Sequence, residues 1–260
     1  MDTMTSDMSW APAHILGEER TARWLVICDH ATNRVPEFVG GGDLGIAESD
    51  MARHIAYDVG AAGVAVALAA QLDAPVVLSN FSRLVIDPNR GEDDPTLLMR
   101  LYDGTIIPTN RHADTREQER RLERCYRPYH DAVSRLAGRR EDTVIISVHS
   151  FTPQFRGRPM RPWHAGLLFG EDARLSRPLV DLLRAEPGLI VAANEPYSGH
   201  LAGDTIDRHA IQKGRQNTLI EIRNDLIVDD AGQMEWADRF ARLLPEALER
   251  AERMEENDHG

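Results

Sequence analysis

Six short apolar runs, each bounded by turn residues or charges, constrain this chain more than anything else in it: WLVIC (24–28), PVVLS (75–79), TVIISVH (143–149), GLLFG (166–170), GLIVAA (188–193) and NTLIEIR (217–223). They are continuous rather than alternating, the pattern of strands buried on both faces. The stretches between them repeat at helical spacing. In 48–72, Ile55, Val59, Ala62, Val66 and Ala70 fall on one face, with Ser49 or Asp50 as a cap. The segment 114–138 is charged and amphipathic, with a bend expected near Pro128, and 171–186 and 231–256 complete the helical set. Strands alternating with helices predict a mainly parallel sheet covered on both faces, a three-layer α/β/α sandwich. At 260 residues and 42% hydrophobic content there is enough apolar surface for one domain spanning 1–260, with residues 1–20 and 255–260 expected as loose tails.

The formal net charge of −12 argues against nucleic acid as a general partner, because nothing neutralises a phosphate backbone. No apolar run is long enough to span a bilayer, and the first twenty residues lack the basic start and apolar middle of a secretion signal. Cys28 and Cys125 make no CxxC spacing and read as reduced thiols. The expectation is a cytoplasmic protein with no membrane partner.

The polar residues fall at the ends of the strands. Asp29 and His30 follow the first run, SRLVIDPNR (82–90) follows the second, His149 ends the third, and Glu221 and Arg223 lie in the last. A right-handed parallel sheet brings such ends to one edge, where open α/β sheets place their chemistry. Two imidazoles and a carboxylate meeting there have the ligand chemistry of a catalytic zinc site. Three protein ligands leave a place for water, and the ion brings that water's pKa towards neutrality. Glu221 then takes the proton. Each element also has an ordinary reading. A strand-end histidine serves as a hydrogen-bonded structural residue, Asp29 or Thr32 as a helix cap, and Asp87-Pro88-Asn89-Arg90 as a turn. Glu221 and Arg223 share a strand face at period two and can pair with each other. Cys28 near His30 suggests a Cys–His nucleophile, against which stands the inertness of buried cysteines.

Six motifs in order, CDHATNRVPE, SRLVIDPNR, VHSFTP, NEPYSG, DTIDRHA and LIEIRNDLI, resemble the N-formylglutamate amidohydrolase family over roughly residues 22–250. The resemblance implies a phosphorylase/hydrolase-like α/β/α sandwich, related to zinc carboxypeptidases and aspartoacylase-type deacylases. It implies hydrolysis of an N-acyl amino acid such as N-formylglutamate to formate and glutamate, with one divalent zinc ion. His30 and His149 match zinc-binding positions of that wider group, and Glu221 its catalytic carboxylate. Asn89 and Arg90 match the asparagine–arginine pair that holds a substrate carboxylate, as a planar guanidinium does through two parallel hydrogen bonds. Arg83 and Arg223 are candidates for a second carboxylate.

One position departs from the wider pattern. Zinc carboxypeptidases carry a glutamate three residues after the first histidine, where this chain has Asn33. The third ligand is then sought at Asp50, which also resembles a family position, or at Asp58; both also suit an ordinary helix start. Tyr197 in NEPYSG reads either as a packed ring or as a hydrogen-bond donor to the tetrahedral intermediate. His209 in DTIDRHA lies in a loop that either closes over substrate or is solvated surface. The Asn33 departure also admits a non-catalytic binder of acidic metabolites, which the carboxylate of Glu221 argues against.

Overall fold

A computed structural model describes residues 10–199 and 201–258. In chain order its strands are β1 (Ala13–Leu16), β2 (Trp24–Cys28), β3 (Val76–Ser79), the short hairpin β4 (Leu101–Tyr102) and β5 (Thr105–Ile106), β6 (Val144–Phe151), β7 (Ala165–Leu168), β8 (Val191–Ala193) and β9 (Asn217–Arg223). The helices are α1 (Glu48–Met51), α2 (Ala61–Gln71), α3 (Pro108–Arg111), α4 (Thr115–Arg121), α5 (Arg127–Ala137), α6 (Ser176–Arg184), α7 (Thr205–His209) and α8 (Asp230–Asp258).

The apolar runs pair into one seven-stranded sheet in the order β1-β3-β2-β6-β9-β7-β8. The four strands β3, β2, β6 and β9 are parallel. β1 runs antiparallel to β3 at one edge, and β7, with β8 parallel to it, runs antiparallel to β9 at the other. The period of two sorts side chains between two cores. On β2, Trp24, Val26 and Cys28 pack with α2, α6 and α8 through residues such as Leu68, Leu179 and Phe240. Leu25 and Ile27 face the other layer, where α5 contributes Tyr129, Val133 and Leu136. Burying each such aliphatic side chain is worth about 1.5–3 kcal/mol, so the two cores fix the sheet between them. This is the expected three-layer α/β/α architecture.

Three local expectations are corrected. Residues 13–16 are not loose but form β1, a half-buried edge strand whose backbone pairs with β3. Residues 255–258 belong to α8, while 1–9 and 259–260 of the expected tails lie outside the described residues. The helix expected over 48–72 is two helices separated by a loop. Gly60 ends that loop at φ +80, and a Cβ there would meet the Ile227 carbonyl oxygen at 2.1 Å. Within the loop the Asp58 amide donates to the His30 carbonyl at 2.9 Å and the Ala56 carbonyl accepts from Arg83 at 3.2 Å, so tertiary hydrogen bonds replace helical ones.

The long helical stretch over 115–137 starts on Asp114, whose side chain accepts from the Glu117 amide at 2.8 Å. It passes through a π-turn, Leu122–Tyr126, directly before α5. Pro128 has no N–H to offer the Arg124 carbonyl four residues back, and the Trp10 indole supplies that bond at 3.4 Å. Among the described residues no helix is long and apolar enough to cross a membrane.

Candidate active site

The carboxyl ends of β2, β3, β6 and β9 converge as parallel pairing requires. β2 delivers Asp29 and His30, β6 carries His149, and β9 places Glu221 directly beside His149 in the register. Asp58 arrives from the loop before α2, on the turn that hydrogen-bonds to His30. All five side chains are buried.

Asp58 is the hub. Its Oδ2 lies 3.2 Å from His30 Nδ1 and 2.8 Å from His149 Nδ1. The outer nitrogens are backed by other carboxylates: His30 Nε2 sits 2.7 Å from Asp87, and His149 Nε2 sits 3.2 Å from Asp29 and 3.0 Å from the Ser147 hydroxyl. Arg83 bridges the hub to the backing, donating to Asp58 Oδ1 at 3.3 Å and to Asp87 Oδ2 at 3.0 Å. Asp29 also accepts from the Tyr129 and Thr205 hydroxyls, each at 2.8 Å.

This donor set fits a metal ion. One ligand atom each from His30, Asp58 and His149 lies within 4.8 Å of the others. The backing carboxylates take the Nε2–H protons, which leaves both Nδ1 lone pairs and the Asp58 oxygen facing one point. Three acceptors so arranged need a cation between them. Without metal, a proton serves: burial disfavours the His149 imidazolium, but hydrogen bonds and charge from Asp29 and Asp58 raise its pKa well above the usual imidazole value. Burial likewise opposes ionisation of Asp29, and His149 overcomes it, holding that carboxyl at about 2. Asp58 is lowered in the same way, against burial, by the two histidines.

Glu221 behaves differently. Burial pushes its carboxyl up to about 7; the nearby His149 opposes the shift and Asp58 adds to it. Its Oε2 is buried and has no hydrogen-bond partner. The Glu221–Arg223 pair does not form, because the chain turns after β9 and presents Asp225 to Arg223 at 2.8 Å. Arg223 therefore stands away from the cavity.

A cavity of about 270 Å³ opens over these groups, with Asn89, Arg90 and Tyr197 among its lining residues. Arg90 is bonded to Thr96 and to the Asn89 carbonyl and, among the described residues, to no carboxylate. Tyr197 accepts at its hydroxyl from Arg161 at 3.2 Å, and that guanidinium lies 4.1 Å from the centre of the Phe155 ring. Arg83 also lines the cavity, although its two ion pairs commit it to the hub.

Other sequence candidates lie elsewhere or take no part. Asp50 is not among the clustered ligands; it sits in α1, ion-paired to Arg53 at 2.7 Å, and Asp58 takes the place expected of it. The reason is the interrupted helix, which lets the loop rather than the first turn fold back onto His30. Asn33 is also remote in role, its amide donating to the Met51 carbonyl at 2.9 Å. His209 does not line the cavity but pairs with His130 at 2.9 Å. Cys28 is fully buried, and burial together with Asp58 and Asp29 raises its thiol pKa well above the usual, which removes it as a nucleophile.

Sequence reasoning missed the backing roles of Asp29 and Asp87, each within two residues of one it did select. It also missed His54, which lines the cavity between the rings of Tyr102 and Phe155. Burial lowers the His54 pKa to about 4, so it enters the cavity wall as a neutral imidazole.

The chain matches the family model described as N-formylglutamate amidohydrolase over residues 22–228. Among solved structures it is similar to gene product Atu2144 from Agrobacterium tumefaciens, at 32% identity over 93% of this chain and 96% of that one, with a TM-score of 0.87. It is also similar in fold to the N-formylglutamate amidohydrolase from Ralstonia eutropha JMP134, at 22% identity over 95% of this chain and all (100%) of that one, with a TM-score of 0.66. No curated protein matches it.

Proposed function

Since the chain belongs to the N-formylglutamate amidohydrolase family and is thereby a hydrolase of amide bonds, we propose that it deacylates an N-acylated acidic amino acid, with N-formylglutamate as substrate and formate and glutamate as products. The observation that carries this reading is Glu221, a buried carboxylate with an unpartnered oxygen and a pKa near 7, set beside a three-ligand cluster.

His30, Asp58 and His149 would hold one divalent cation, with zinc suited to the two imidazoles. When bound, that cation supplies Lewis acidity towards the acyl carbonyl and acidifies water. Glu221 accepts the proton of the attacking water and returns it to the leaving amine, a task matched to a pKa near the working pH. Asp87 and Asp29 keep His30 and His149 in the tautomer that points Nδ1 inward, and Arg83 fixes Asp58. Arg90, with Asn89, takes the α-carboxylate of the substrate through its planar fork. Tyr197 stands at the cavity wall as a donor for the developing oxyanion. Two free, buried cysteines support a reducing compartment such as the cytoplasm.

Purified protein, assayed for formate release from N-formylglutamate alongside elemental analysis, tests the reading. Formate release with about one zinc per chain supports it. A zinc-loaded protein that leaves N-formylglutamate intact means that the acyl group or amino acid is a different one.

A further inference from the structure

Of the DTIDRHA motif only Asp204 lines the cavity, and the charged helix before β6 does not line it, yet both reach the loop that does. The Tyr126 hydroxyl donates to the Arg90 carbonyl at 2.5 Å and accepts from Arg208 at 2.9 Å. The Arg208 guanidinium also lies 5.3 Å from the centre of the Tyr126 ring. Four residues along α5, His130 lies with Nε2 3.0 Å from the Pro88 carbonyl. A carbonyl only accepts, so Nε2 carries the proton and Nδ1 holds a lone pair. His209 Nε2, 2.9 Å from that lone pair, is then the donor. Burial keeps both rings neutral, pushing His130 down to about 3 and His209 to about 4. From α7 the Thr205 amide donates to the Asn89 side-chain oxygen at 3.3 Å.

Pro88, Asn89 and Arg90 are thus each held from outside their own turn. A turn made of Asp, Pro and Asn forms for local reasons and needs no such support. The π-turn ending at Tyr126 is the kind of helix distortion that re-aims side chains at functional sites. We propose that Tyr126 with Arg208, and His130 with His209, form a brace that positions the Pro88–Arg90 backbone so that Asn89 and Arg90 present their side chains to the substrate carboxylate. Tyr126 and His130 touch no substrate; they are positioning residues. The inference rests on the reading of Arg90 as the carboxylate clamp.

The test is a double-mutant cycle between Tyr126→Phe and Arg90→Ala in the metal-loaded protein, reading kcat and KM on N-formylglutamate and the Kd of L-glutamate. Tyr126→Phe removes one hydroxyl and keeps the ring. It should raise KM and Kd about three- to tenfold, the worth of one hydrogen bond, with kcat within about twofold. In the Arg90→Ala background the same change should add at most a small part of that loss, because only Asn89 is left to position. Equal KM in Tyr126→Phe and wild type, or the same fold loss in both backgrounds, overturns the brace. Arg90→Ala leaving KM and Kd unmoved overturns the clamp reading and the brace with it, so the two failures are distinguishable. Should Tyr126→Phe fail to fold, Arg208→Gln, at a partly exposed position, takes its place in the cycle with the same expectations.

Discussion

Glu221 combines two properties that pull against each other, a catalytic pKa and a cost to the fold. Its carboxyl is raised from 4.5 to about 7 by burial, so the folded protein binds a proton there that the unfolded chain has released. Stability from this group is therefore full below about pH 4.5 and is lost as pH rises through 7, by roughly 3 kcal/mol in the metal-free protein. Glu221→Gln cannot lose that proton. Metal-free Glu221→Gln should melt later than wild type at pH 8 and together with it at pH 4, while the metal-loaded variant loses about a hundred- to ten-thousandfold in turnover. In wild type, kcat/KM should rise with pH through a limb at or below about 7, since a cation in the cluster favours the carboxylate, and Glu221→Gln should lack that limb. A variant that melts earlier at pH 8 yet turns over normally would remove Glu221 from the chemistry. The third ligand separates as cleanly. Asp58→Asn should bring zinc well below one per chain by elemental analysis, whereas Asp50→Asn should keep it, and the reverse outcome would restore Asp50. His30, His149 and Glu221 were legible in the sequence because each interrupts or ends an apolar strand that has no other use for a polar group. Asp58 was not preferred, because its selection depends on where a helix breaks.

That break is an element-scale matter. Ile55, Val59 and Ala62 keep helical spacing straight across a loop, so periodicity reported one helix where there are two. The signal that opposes it is Gly60, two residues after Asp58, in a left-handed conformation that L side chains adopt only under strain. Gly60→Ala should cost about 1–3 kcal/mol for the backbone alone, and more for the clash with the Ile227 carbonyl. Because the same turn aims Asp58, the variant should also bind zinc more weakly than wild type, measured by competition with a chelator. Retained midpoint and retained zinc affinity would show that the turn is not what places the ligand. The buried strands were readable as continuous apolar runs; β1 was not, because its four residues alternate between half-buried and exposed, as an edge strand does. The π-turn left no sequence mark beyond Pro128, two residues past its end.

At the scale of the molecule, the cluster concentrates charge in a core that otherwise packs apolar side chains. Three aspartates and Arg83 surround the two histidines, and a cation there would compensate the excess of acceptors. Zinc at about a hundred times its Kd should stabilise the protein by about 2.7 kcal/mol, and for a chain of this size a chelator should lower the thermal midpoint by roughly 5 °C or more. The same shift in Asp58→Asn would place the stabilising metal elsewhere.

The sheet order has a bearing on how the enzyme comes into being. β9 is the final strand in sequence but not in space: it lies between β6 and β7, with Glu221 beside His149 on one side and Gly166 on the other. With the proposed roles, a chain still emerging from the ribosome that had paired β2 with β6 would carry His30, Asp58 and His149 and yet hold no base. Until β9 arrives, β6 and β7 expose the edges that most invite wrong partners, and the pairing that closes them is the same event that installs Glu221. With the roles proposed for these residues, completion of the fold would itself switch the catalyst on, and an unfinished copy that captured metal would stay inert towards substrate.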